Sequence, residues 1–545
     1  MNSIQAPYVG GLMGVALHHG LFIHGEWHVQ APQILMIHLV SFLYLIVNVP
    51  TSWQIISGYL LGLFSSILSY RLFFHRLNGF PGPRWASVSK IWHLWKTRRS
   101  QNHFFMAKLH AQYGDFVRTG PSEITVFHPD VFMAVDGPRS KCMKGEWYDL
   151  LHPDRSLVNA RTSDIHRPRR RVWMQGFTSK ALVGKEEQTL GLIEQMDQCI
   201  QDDMAAGRSS NVTDMIYWLS FDRMAQFVLG KKFNMLTNPD WRFAIRTVQK
   251  ALSILGPLSP APWLVQIVLR LLPRVWILKD WFRTMAMTKG ELRNVKVPTD
   301  MSKATSLGAF LMESSQKDST QDQWLGGDSL LAFVAGSDPT AGILHGLFYE
   351  LARHPEQADL IYRELQQLQP EELSDVNAVR RCKHLEAAIF ESLRLYPSLP
   401  TGGNRKTPAN EGITVAGVYI PPDTTVVAPR FCISRPSKCC AKKTNSTTGE
   451  DCYVKPNEFI PERWTTRPEL VLNRSAFVPF GTAFRSCLGR GLAMNDMMLI
   501  GAHMIQHYRM SFPAGDTGDR VFNDWKDQFT SCLGRLELRF ERRTA

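Results

Sequence analysis

Three long apolar runs, at residues 9–23, 33–49 and 53–70, dominate the first part of the chain. The second and third runs approach the ~20 residues that a helix needs to cross the apolar core of a bilayer, whereas His18 and His19 interrupt the shorter first run. Residues 1–70 contain no lysine or arginine, and their single acid is Glu26. The pattern therefore predicts a membrane anchor with one to three transmembrane helices.

Basic residues begin directly after the third apolar run, at Arg71, Arg76, Arg84, Lys90, Lys96, Arg98 and Arg99. By the positive-inside tendency, this asymmetry keeps the rest of the chain in the cytosol and disfavours the alternative of a buried hairpin in a soluble domain. The sequence FPGPR at residues 80–84 predicts a stiff, non-helical connector, because proline fixes its own backbone angle and restricts the residue before it. We expect the anchor to occupy residues 1–79 and a catalytic domain to occupy residues 80–545.

The rest of the chain carries mostly helical signals with two strand-like patches. Residues 113–127 alternate apolar and polar positions around Gly120-Pro121, which predicts a hairpin, and residues 413–429 form the second patch. Asp328 is a candidate N-cap for a long apolar helix ending near Arg353, and Pro397 stops another helix at residues 384–395. The expected fold class is mainly α with small β-sheets.

Two segments are open to more than one interpretation. Residues 254–277 are strongly apolar but contain four prolines, so they either touch a membrane surface or fill the core. Residues 437–452 are polar and are expected to form an inserted loop. Cys439, Cys440 and Cys452 in this insert lack the paired spacing of a zinc site.

Composition narrows the class of protein. Hydrophobic residues make up 44% of the chain and charged residues 20%, which is typical of a protein with a large core. The formal charge is +13, but no zinc-finger or RNA-binding signature accompanies it, so we expect no nucleic acid partner. The nine cysteines form no even, closely spaced framework, which indicates a reducing compartment.

The strongest chemical signal is the segment 479–489, with the sequence PFGTAFRSCLG. A cysteine thiolate that binds haem iron needs a turn that exposes its sulfur, a cation near the haem propionates, and a small residue where the backbone approaches the macrocycle. Arg485 and Gly489 fit the last two needs, and Phe480 can shield the sulfur of Cys487 from water. The segment makes Cys487 a candidate metal ligand, although a motif that stood alone would leave a buried structural cysteine as the default interpretation.

A near copy of this segment, TSCLGR at residues 530–535, provides an internal comparison. At Cys532 the residue two positions before is Thr530 instead of arginine, and the residue seven positions before is Trp525 instead of phenylalanine. We therefore expect Cys532 to be a buried strand cysteine.

The segment around Cys487 resembles the cysteine-ligand loop of the cytochrome P450 family, Phe-x-x-Gly-x-Arg-x-Cys-x-Gly. Ala483 stands where the family usually has glycine, and costs about 1 kcal/mol if the turn needs a positive φ. The resemblance implies a single catalytic domain of the P450 type over roughly residues 80–545. It also implies a b-type haem bound by Cys487.

Further motifs follow in the order of the family. Glu391 and Arg394 resemble its Glu-x-x-Arg pair, and Arg463 resembles the arginine that joins this pair in a buried network behind the haem, so these three are expected to be structural. His166 and Arg170 resemble the helix that crosses the haem edge. Arg405 stands at the family's propionate-binding arginine, so the resemblance implies haem propionate contacts for these three residues.

The sequence AGSDPT at residues 335–340 departs most from its family counterpart, Ala/Gly-Gly-x-Asp/Glu-Thr-Thr/Ser. In the family the acid and the first hydroxyl help to deliver protons during O₂ activation. Pro339 replaces that hydroxyl here, and proline should kink or open the helix because it cannot bond the carbonyl of Ala335. We hypothesise that Asp338 and Thr340 complete the proton relay, with Ala335 against the haem. A simple proline kink in a core helix is the alternative.

The resemblance implies insertion of one oxygen atom from O₂ into an apolar small molecule, with electrons from NADPH through a flavoprotein reductase. A microsomal member would lie in the endoplasmic reticulum membrane, in contact with lipid and with its catalytic domain in the cytosol. The general texture is typical of fungal biosynthesis, of a terpenoid, polyketide or alkaloid. Two alternatives stay open: a haem-thiolate isomerase or dehydratase that needs neither O₂ nor reductase, and a non-enzymatic haem-binding membrane protein.

Overall fold

The computed structural model describes residues 4–272, 277–435 and 452–543, and α-helices dominate it. The helices are α1 (Ala6–Leu17), α2 (Ala31–Asn48), α3 (Ser52–Ser69), α4 (Arg84–Val88), α5 (Lys90–Lys96), α6 (Asn102–Tyr113), α7 (Val131–Asp136), α8 (Ser163–Met174), α9 (Ser179–Leu182), α10 (Lys185–Ala205), α11 (Val212–Leu229), α12 (Arg242–Ser253), α13 (Leu255–Leu258), α14 (Pro262–Leu271), α15 (Ile277–Arg293), α16 (Leu307–Lys317), α17 (Asp322–Arg353), α18 (Pro355–Leu365), α19 (Val376–Val379), α20 (Lys383–Leu395), α21 (Arg430–Ile433), α22 (Arg490–His507) and α23 (Arg520–Asn523). The strands are β1 (Phe116–Gly120), β2 (Glu123–Val126), β3 (Met143–Lys144), β4 (Ser210–Asn211), β5 (Arg405–Lys406), β6 (Ile413–Val415), β7 (Val418–Ile420), β8 (Thr425–Val427), β9 (Tyr508–Ser511), β10 (Lys526–Gln528), β11 (Thr530–Cys532) and β12 (Glu537–Arg542). The predicted fold class, mainly α with small sheets, is confirmed.

The three apolar runs at the N-terminus form α1, α2 and α3. Short π-helical turns, His18–Phe22 and Tyr70–Phe74, extend α1 and α3. Two helices, Ala31–Asn48 and Ser52–Phe74, are long and apolar enough to cross a membrane. Large apolar side chains such as Ile37, Leu43 and Phe64 are exposed on them, as expected for surfaces that face lipid.

The strands form small sheets around the helical body. The predicted hairpin is present as β1 and β2, which pair antiparallel and belong to a five-stranded sheet in the order β1-β2-β8-β5-β3. The second predicted patch contributes β6, β7 and β8. The connector at Pro81 to Pro83 is non-helical, and the carbonyl of Pro81 accepts a hydrogen bond from Arg118 N in β1.

Helix α17 runs through the centre of the body and is buried along most of its length. It ends at Arg353 as expected, but the predicted N-cap at Asp328 is wrong, because the helix begins at Asp322. Asp328 is fully buried, and its carboxylate accepts hydrogen bonds from Arg169 Nε at 2.6 Å and Trp173 Nε1 at 3.1 Å. The carboxylate of Asp328 therefore bonds residues that are distant in the sequence and does not cap the start of the helix.

The two ambiguous segments have different outcomes. Residues 254–272 form α13 and α14, and α14 packs against α2 of the anchor while burying Val265 and Gln266. The end of the segment is exposed at Leu271 and Leu272. The polar insert, with Cys439 and Cys440, lies outside the described residues except for Cys452, which is buried.

Candidate functional site

The loop that carries Cys487 is a tight turn ahead of α22. Gly481 and Ala483 both adopt positive φ, at +70° and +49°, and the amide of Cys487 donates to the carbonyl of Phe480 at 2.8 Å. The turn therefore does need a positive φ at position 483, and the alanine there carries the strain expected of a non-glycine residue. The outcome is a fixed position for the sulfur of Cys487.

Cys487 is exposed to solvent on this turn. Burial raises the pKa of Cys487, while the amides of Gly489 and Arg490 at the start of α22 and the charge of Arg170 act in the opposite direction. A helix N-terminus with nearby cations favours a thiolate. An added Cβ at Gly489 would make only ordinary contacts, 3.7 Å from Phe177 and 3.9 Å from Cys487 Sγ.

A buried ion network lies behind this loop. The carboxylate of Glu391 accepts from Arg394 Nη2 at 2.7 Å, from Arg463 Nε at 2.8 Å and from Trp464 Nε1 at 2.9 Å. The side chains of Glu391, Arg394 and Arg463 are fully buried. Arg394 and Arg463 also donate to main-chain carbonyls between residues 454 and 470, so the network fixes the segment that leads to the cysteine loop.

A cluster of cations gathers on the other side of the loop, around Asp136 at the end of α7. Arg405 donates to both carboxylate oxygens of Asp136, at 2.6 and 2.8 Å, and to the hydroxyl of Tyr148 at 3.0 Å. Arg485 approaches the same carboxylate at 3.3 Å and donates to the carbonyl of Cys142 at 3.0 Å. Burial tends to raise the pKa of Asp136, but the charge of Arg405 outweighs it and holds that pKa below its usual range.

Three more basic groups complete the cluster. Arg170 donates from α8 to the carbonyl of Ser486 at 2.8 Å, next to Cys487. His166, one turn earlier, is buried, and its burial together with the charges of Lys144 and Arg170 lowers its pKa to about 3. Burial and the neighbouring arginines lower the pKa of Lys144 well below its usual range.

These residues fit a haem. Three arginines, Arg405, Arg430 and Arg485, act on the carboxylate of Asp136. Arg170 adds a further charge beside Lys144 and His166, so the cluster has an excess of positive charge suited to propionates even though His166 is neutral at physiological pH. Two buried polar atoms in it, Nδ1 of His166 and Nε of Arg485, have no partner within the described chain. Propionate oxygens would accept from Nε of Arg485, and from Nδ1 of His166 in the tautomer that carries its proton there.

Between its exposed ends, the central helix α17 is open along one stripe. Ala335 is exposed, and Leu331, Gly336, Pro339 and Thr340 are half-buried, whereas most of the helix around them is buried. The helix continues through Pro339, which supplies no N–H to the carbonyl of Ala335. The hydroxyl of Thr340 donates to the carbonyl of Gly336 at 3.2 Å.

Asp338 points away from this stripe. It is buried, and its carboxylate accepts a hydrogen bond from the hydroxyl of Thr530 in β11 at 3.3 Å. Burial raises the pKa of Asp338 to about 7, and the hydrogen bond from Thr530 opposes this shift. Asp338 and Thr340, assigned together from the sequence, therefore have separate partners, Thr530 and the carbonyl of Gly336.

Sequence reasoning missed Asp136, Lys144 and Tyr148. Each lies in a short element or loop with no recognisable spacing, and each belongs to the cluster through partners far away in the chain. The resemblance identified basic residues near Asp136, but it did not identify Asp136 itself. Cys532, the comparison cysteine, lies in strand β11 as expected and is only partly buried.

Comparisons with known proteins agree on one family. The family model described as Cytochrome P450 matches residues 81–531. The chain is 31% identical to "Cytochrome P450 monooxygenase notG'" of Aspergillus versicolor over 98% of this chain and 97% of that protein. It is 30% identical to "Tryprostatin B 6-hydroxylase" of Aspergillus fumigatus over 98% of this chain and 96% of that protein. The fold is similar to the crystal structure of the cytochrome P450DA heme domain, with a TM-score of 0.64, 16% identity, and coverage of 82% of this chain and 94% of that one.

Proposed function

Because this chain belongs to the cytochrome P450 family, we propose that it is a membrane-anchored haem-thiolate monooxygenase that inserts one oxygen atom from O₂ into an apolar small molecule. The observation that carries the proposal is that Cys487 lies on a strained turn whose own Arg485 joins the basic cluster around Asp136, while the Glu391 network holds the segment that precedes the turn. Its relatives include a protein named as a hydroxylase, so we extend hydroxylation as the reaction type to the present chain. A secondary-metabolite pathway is the proposed setting.

Cys487 is the proposed thiolate that would bind the iron of a b-type haem, and the haem would supply the O₂ activation when bound. His166, Arg170, Arg405 and Arg485 would hold its propionates, with Phe480 and Gly489 beside the sulfur. Glu391, Arg394 and Arg463 act at a distance by fixing the chain before the loop. Domain boundaries at residues 1–79 and 80–545 belong to the same proposal.

On the exposed stripe of α17, Ala335 would border the haem and Thr340 would pass protons, with Asp338 as a proton store on the buried side of the same helix, beside Thr530. Asp338 is suited to this role because a carboxyl with a pKa of about 7 exchanges protons readily at neutral pH. Thr340 holds its hydroxyl on the exposed stripe of α17. Thr340→Ala should lower the amount of product formed per O₂ consumed, and unchanged coupling would remove Thr340 from the relay.

The proposed partners are lipid, an apolar substrate and an NADPH-dependent flavoprotein reductase, at the endoplasmic reticulum membrane with the catalytic domain in the cytosol. Microsomes that contain this protein and a reductase should convert a fed scaffold to a product heavier by one oxygen atom. Mass spectrometry of products from a panel of terpenoid, polyketide and alkaloid scaffolds identifies the substrate class.

Pro339 favours one second candidate, a haem-thiolate isomerase or dehydratase, because it replaces the hydroxyl that the family uses in O₂ activation. Such an enzyme would turn over its substrate without NADPH or O₂. Turnover that persists in the absence of both would favour this candidate over the monooxygenase.

The assignment of Cys487 is tested with the matched cysteine at position 532. The reduced carbon monoxide complex of a thiolate-bound haem has a red-shifted Soret band. This band should disappear in Cys487→Ser and persist in Cys532→Ser. The reverse result would overturn the assignment.

A further inference from the structure

The turn between α1 and α2, residues 24–30, lies against the catalytic domain, and we call it the docking turn. Glu26 accepts two hydrogen bonds from Arg161, at 2.6 and 2.9 Å, and a third from Lys406 Nζ at 2.7 Å. His28 shares a hydrogen bond with Asp149 at 2.9 Å. A bidentate arginine pair of this kind fixes orientation as well as distance.

These contacts are shielded from solvent. The side chains of Arg161, Lys406 and Glu26 are 14%, 8% and 23% exposed. Burial alone would raise the pKa of Glu26, but the hydrogen bond from Arg161 and the charge of Lys406 lower it to about 2. The carboxylate of Glu26 is therefore ionised throughout the physiological range, and the pairing does not depend on pH there.

The acidic residues around the docking turn already have a cation beside them, the ammonium of Lys406. Ligand atoms of Glu26, His28 and Glu146 lie within 4.8 Å of one another, as in a metal site. However, the ammonium of Lys406 already lies 2.7 Å from Glu26 and 3.6 Å from Glu146. The arrangement serves to join two parts of the chain.

The far end of the anchor reaches the same place. Lys406 also pairs with Asp423 at 2.7 Å, and Asp423 accepts from Arg76, which follows α3, at 3.4 Å. The segment before α2 and the segment after α3 therefore meet on one small area of the catalytic domain. A flexible tether would meet the catalytic domain at one point, whereas this anchor meets it at two, before α2 and after α3.

Helix α1 packs against α3 as closely as backbones allow. Each carries a Gly-x-x-x-Gly motif, at Gly10 and Gly14 in α1 and at Gly58 and Gly62 in α3. A Cβ at Gly10 would lie 2.2 Å from the carbonyl oxygen of Ile55, and one at Gly62 would lie 2.2 Å from that of Gly11. Facing motifs of small residues are typical of helices that associate within a bilayer.

The register of this packing sets the direction of the helices. Pro7 lies against Gly58 and Gly11 against Gly62, so α1 and α3 run parallel. With its π-helical turn, α1 extends over Ala6 to Phe22, which at 1.5 Å per residue is about 25 Å and close to the thickness of a bilayer core. If α3 ends at the cytosolic face, α1 ends there too, and the docking turn lies on the side of the catalytic domain.

We propose that residues 4–74 form a three-helix membrane bundle, and that the docking turn fixes this bundle to the catalytic domain through Glu26 and His28. The inference rests on the proposed membrane insertion and not on the proposed chemistry. Glu26, Tyr148, Arg161 and Lys406 line a cavity of about 490 Å³, so the anchor supplies part of the wall of a cavity of the catalytic domain. The contact of α2 with α14 holds the exposed Leu271 and Leu272 at the bilayer surface.

The number of spans is tested by glycosylation in microsomes. An acceptor site within a Gly/Ser-rich extension is placed at the N-terminus, in the turn at residues 49–51, or at the C-terminus. Three spans predict modification of the N-terminal and 49–51 acceptors and none at the C-terminus. An unmodified N-terminal acceptor, with the acceptor at residues 49–51 modified, would overturn the three-helix bundle in favour of two spans.

Docking is tested by cross-linking in intact membranes. A protease site is placed in the connector at Gly79, and Glu26→Cys is combined with Arg161→Cys. Because a direct disulfide needs Cα atoms within about 7 Å, the two cysteines are joined by a reducible bis-methanethiosulfonate cross-linker about as long as the side chains they replace. After cleavage the two fragments should stay joined until a reductant is added. The matched control pairs Glu26→Cys with Glu411→Cys, an exposed acid in a surface ion pair, and should separate.

Equal cross-linking of both pairs, or none in either, would overturn docking. The red-shifted Soret band of each double variant reports that its catalytic domain is folded, and a pair without this band is replaced by Glu26→Gln against Glu411→Gln. For these, Glu26→Gln should shorten the half-life of the band on heating several-fold and Glu411→Gln should not. Neither the glycosylation experiment nor the cross-linking experiment requires turnover. Each therefore tests this inference independently of the proposed activity.

Discussion

At the scale of single residues, Ala483 is the position where the cysteine loop departs from its family. Its φ of +49° is strained for alanine, and a β-branched side chain tolerates it much less. Ala483→Gly should keep the red-shifted Soret band with stability within about 1 kcal/mol of the wild type. Ala483→Val should cost about 1–3 kcal/mol and shorten the half-life of the band on heating.

The control is Ala205→Val at the exposed end of α10, where the backbone is helical and the same added carbons should cost less than about 1 kcal/mol. If both valine variants lose the band at the same rate, strain at position 483 is not the cause. The measurement is the half-life of the band at one elevated temperature.

The raised pKa of Asp338 predicts that stability and coupling depend on pH. A carboxyl whose pKa is 3.8 when unfolded and about 7 when folded stabilises the fold at low pH, and this contribution is lost as the pH rises through 7. If Asp338 moves protons, product formed per O₂ consumed should change with a midpoint near pH 7. Thr530→Val removes a donor to the carboxylate, so it should move the midpoint to higher pH, and Asp338→Asn should abolish it.

Ser531 offers the control for Thr530, because it is the next residue and its buried hydroxyl has no partner among the described residues. Ser531→Ala should leave the midpoint in place. A midpoint near pH 7 that survives Asp338→Asn would assign the titration to another group.

At the scale of elements, the buried network joins α20 to the segment before the cysteine loop. Glu391→Gln would leave the charges of Arg394 and Arg463 buried without a counter-ion, at a cost of about 3–5 kcal/mol. We expect a large loss of haem-containing protein and rapid thermal inactivation. The measurement is the yield of the red-shifted band per unit of protein.

The matched control is Glu458→Gln, whose side chain forms an exposed pair with Lys455 at 3.0 Å and the same three-residue spacing. An exposed pair contributes less than about 1 kcal/mol, so this variant should behave like the wild type. Equal yields from the two variants would show that the Glu391 network does not hold the loop.

The elements that were predicted correctly depend on local sequence. Alternation around Gly120-Pro121 is sufficient for the β1 and β2 hairpin, and Pro397 is sufficient to end α20 near Leu395. The predicted start of α17 was wrong because Asp328 pairs with Arg169, which is distant in sequence. Asp136 was missed for the same reason, since only the folded chain brings it to Arg405.

At the scale of the whole molecule, part of the net charge of +13 is concentrated near the cysteine loop. Arg167 and Arg171 are exposed on one face of α8, and the guanidinium of Arg167 lies 5.4 Å from the ring of Phe484 in the loop. An acidic surface of a reductase would be attracted to this face, and such attraction raises association rates most at low salt. We therefore expect the reductase to dock here.

The double variant Arg167→Gln, Arg171→Gln should slow reduction by the reductase several-fold at low ionic strength, and the difference should shrink as salt is added, because screening weakens the attraction that the wild type alone retains. Stopped-flow reduction under carbon monoxide measures the rate. Arg246→Gln, Lys250→Gln is the control, since it removes two exposed charges at the same spacing from α12. An equal loss of rate in both double variants would show that total charge, and not this face, governs the encounter.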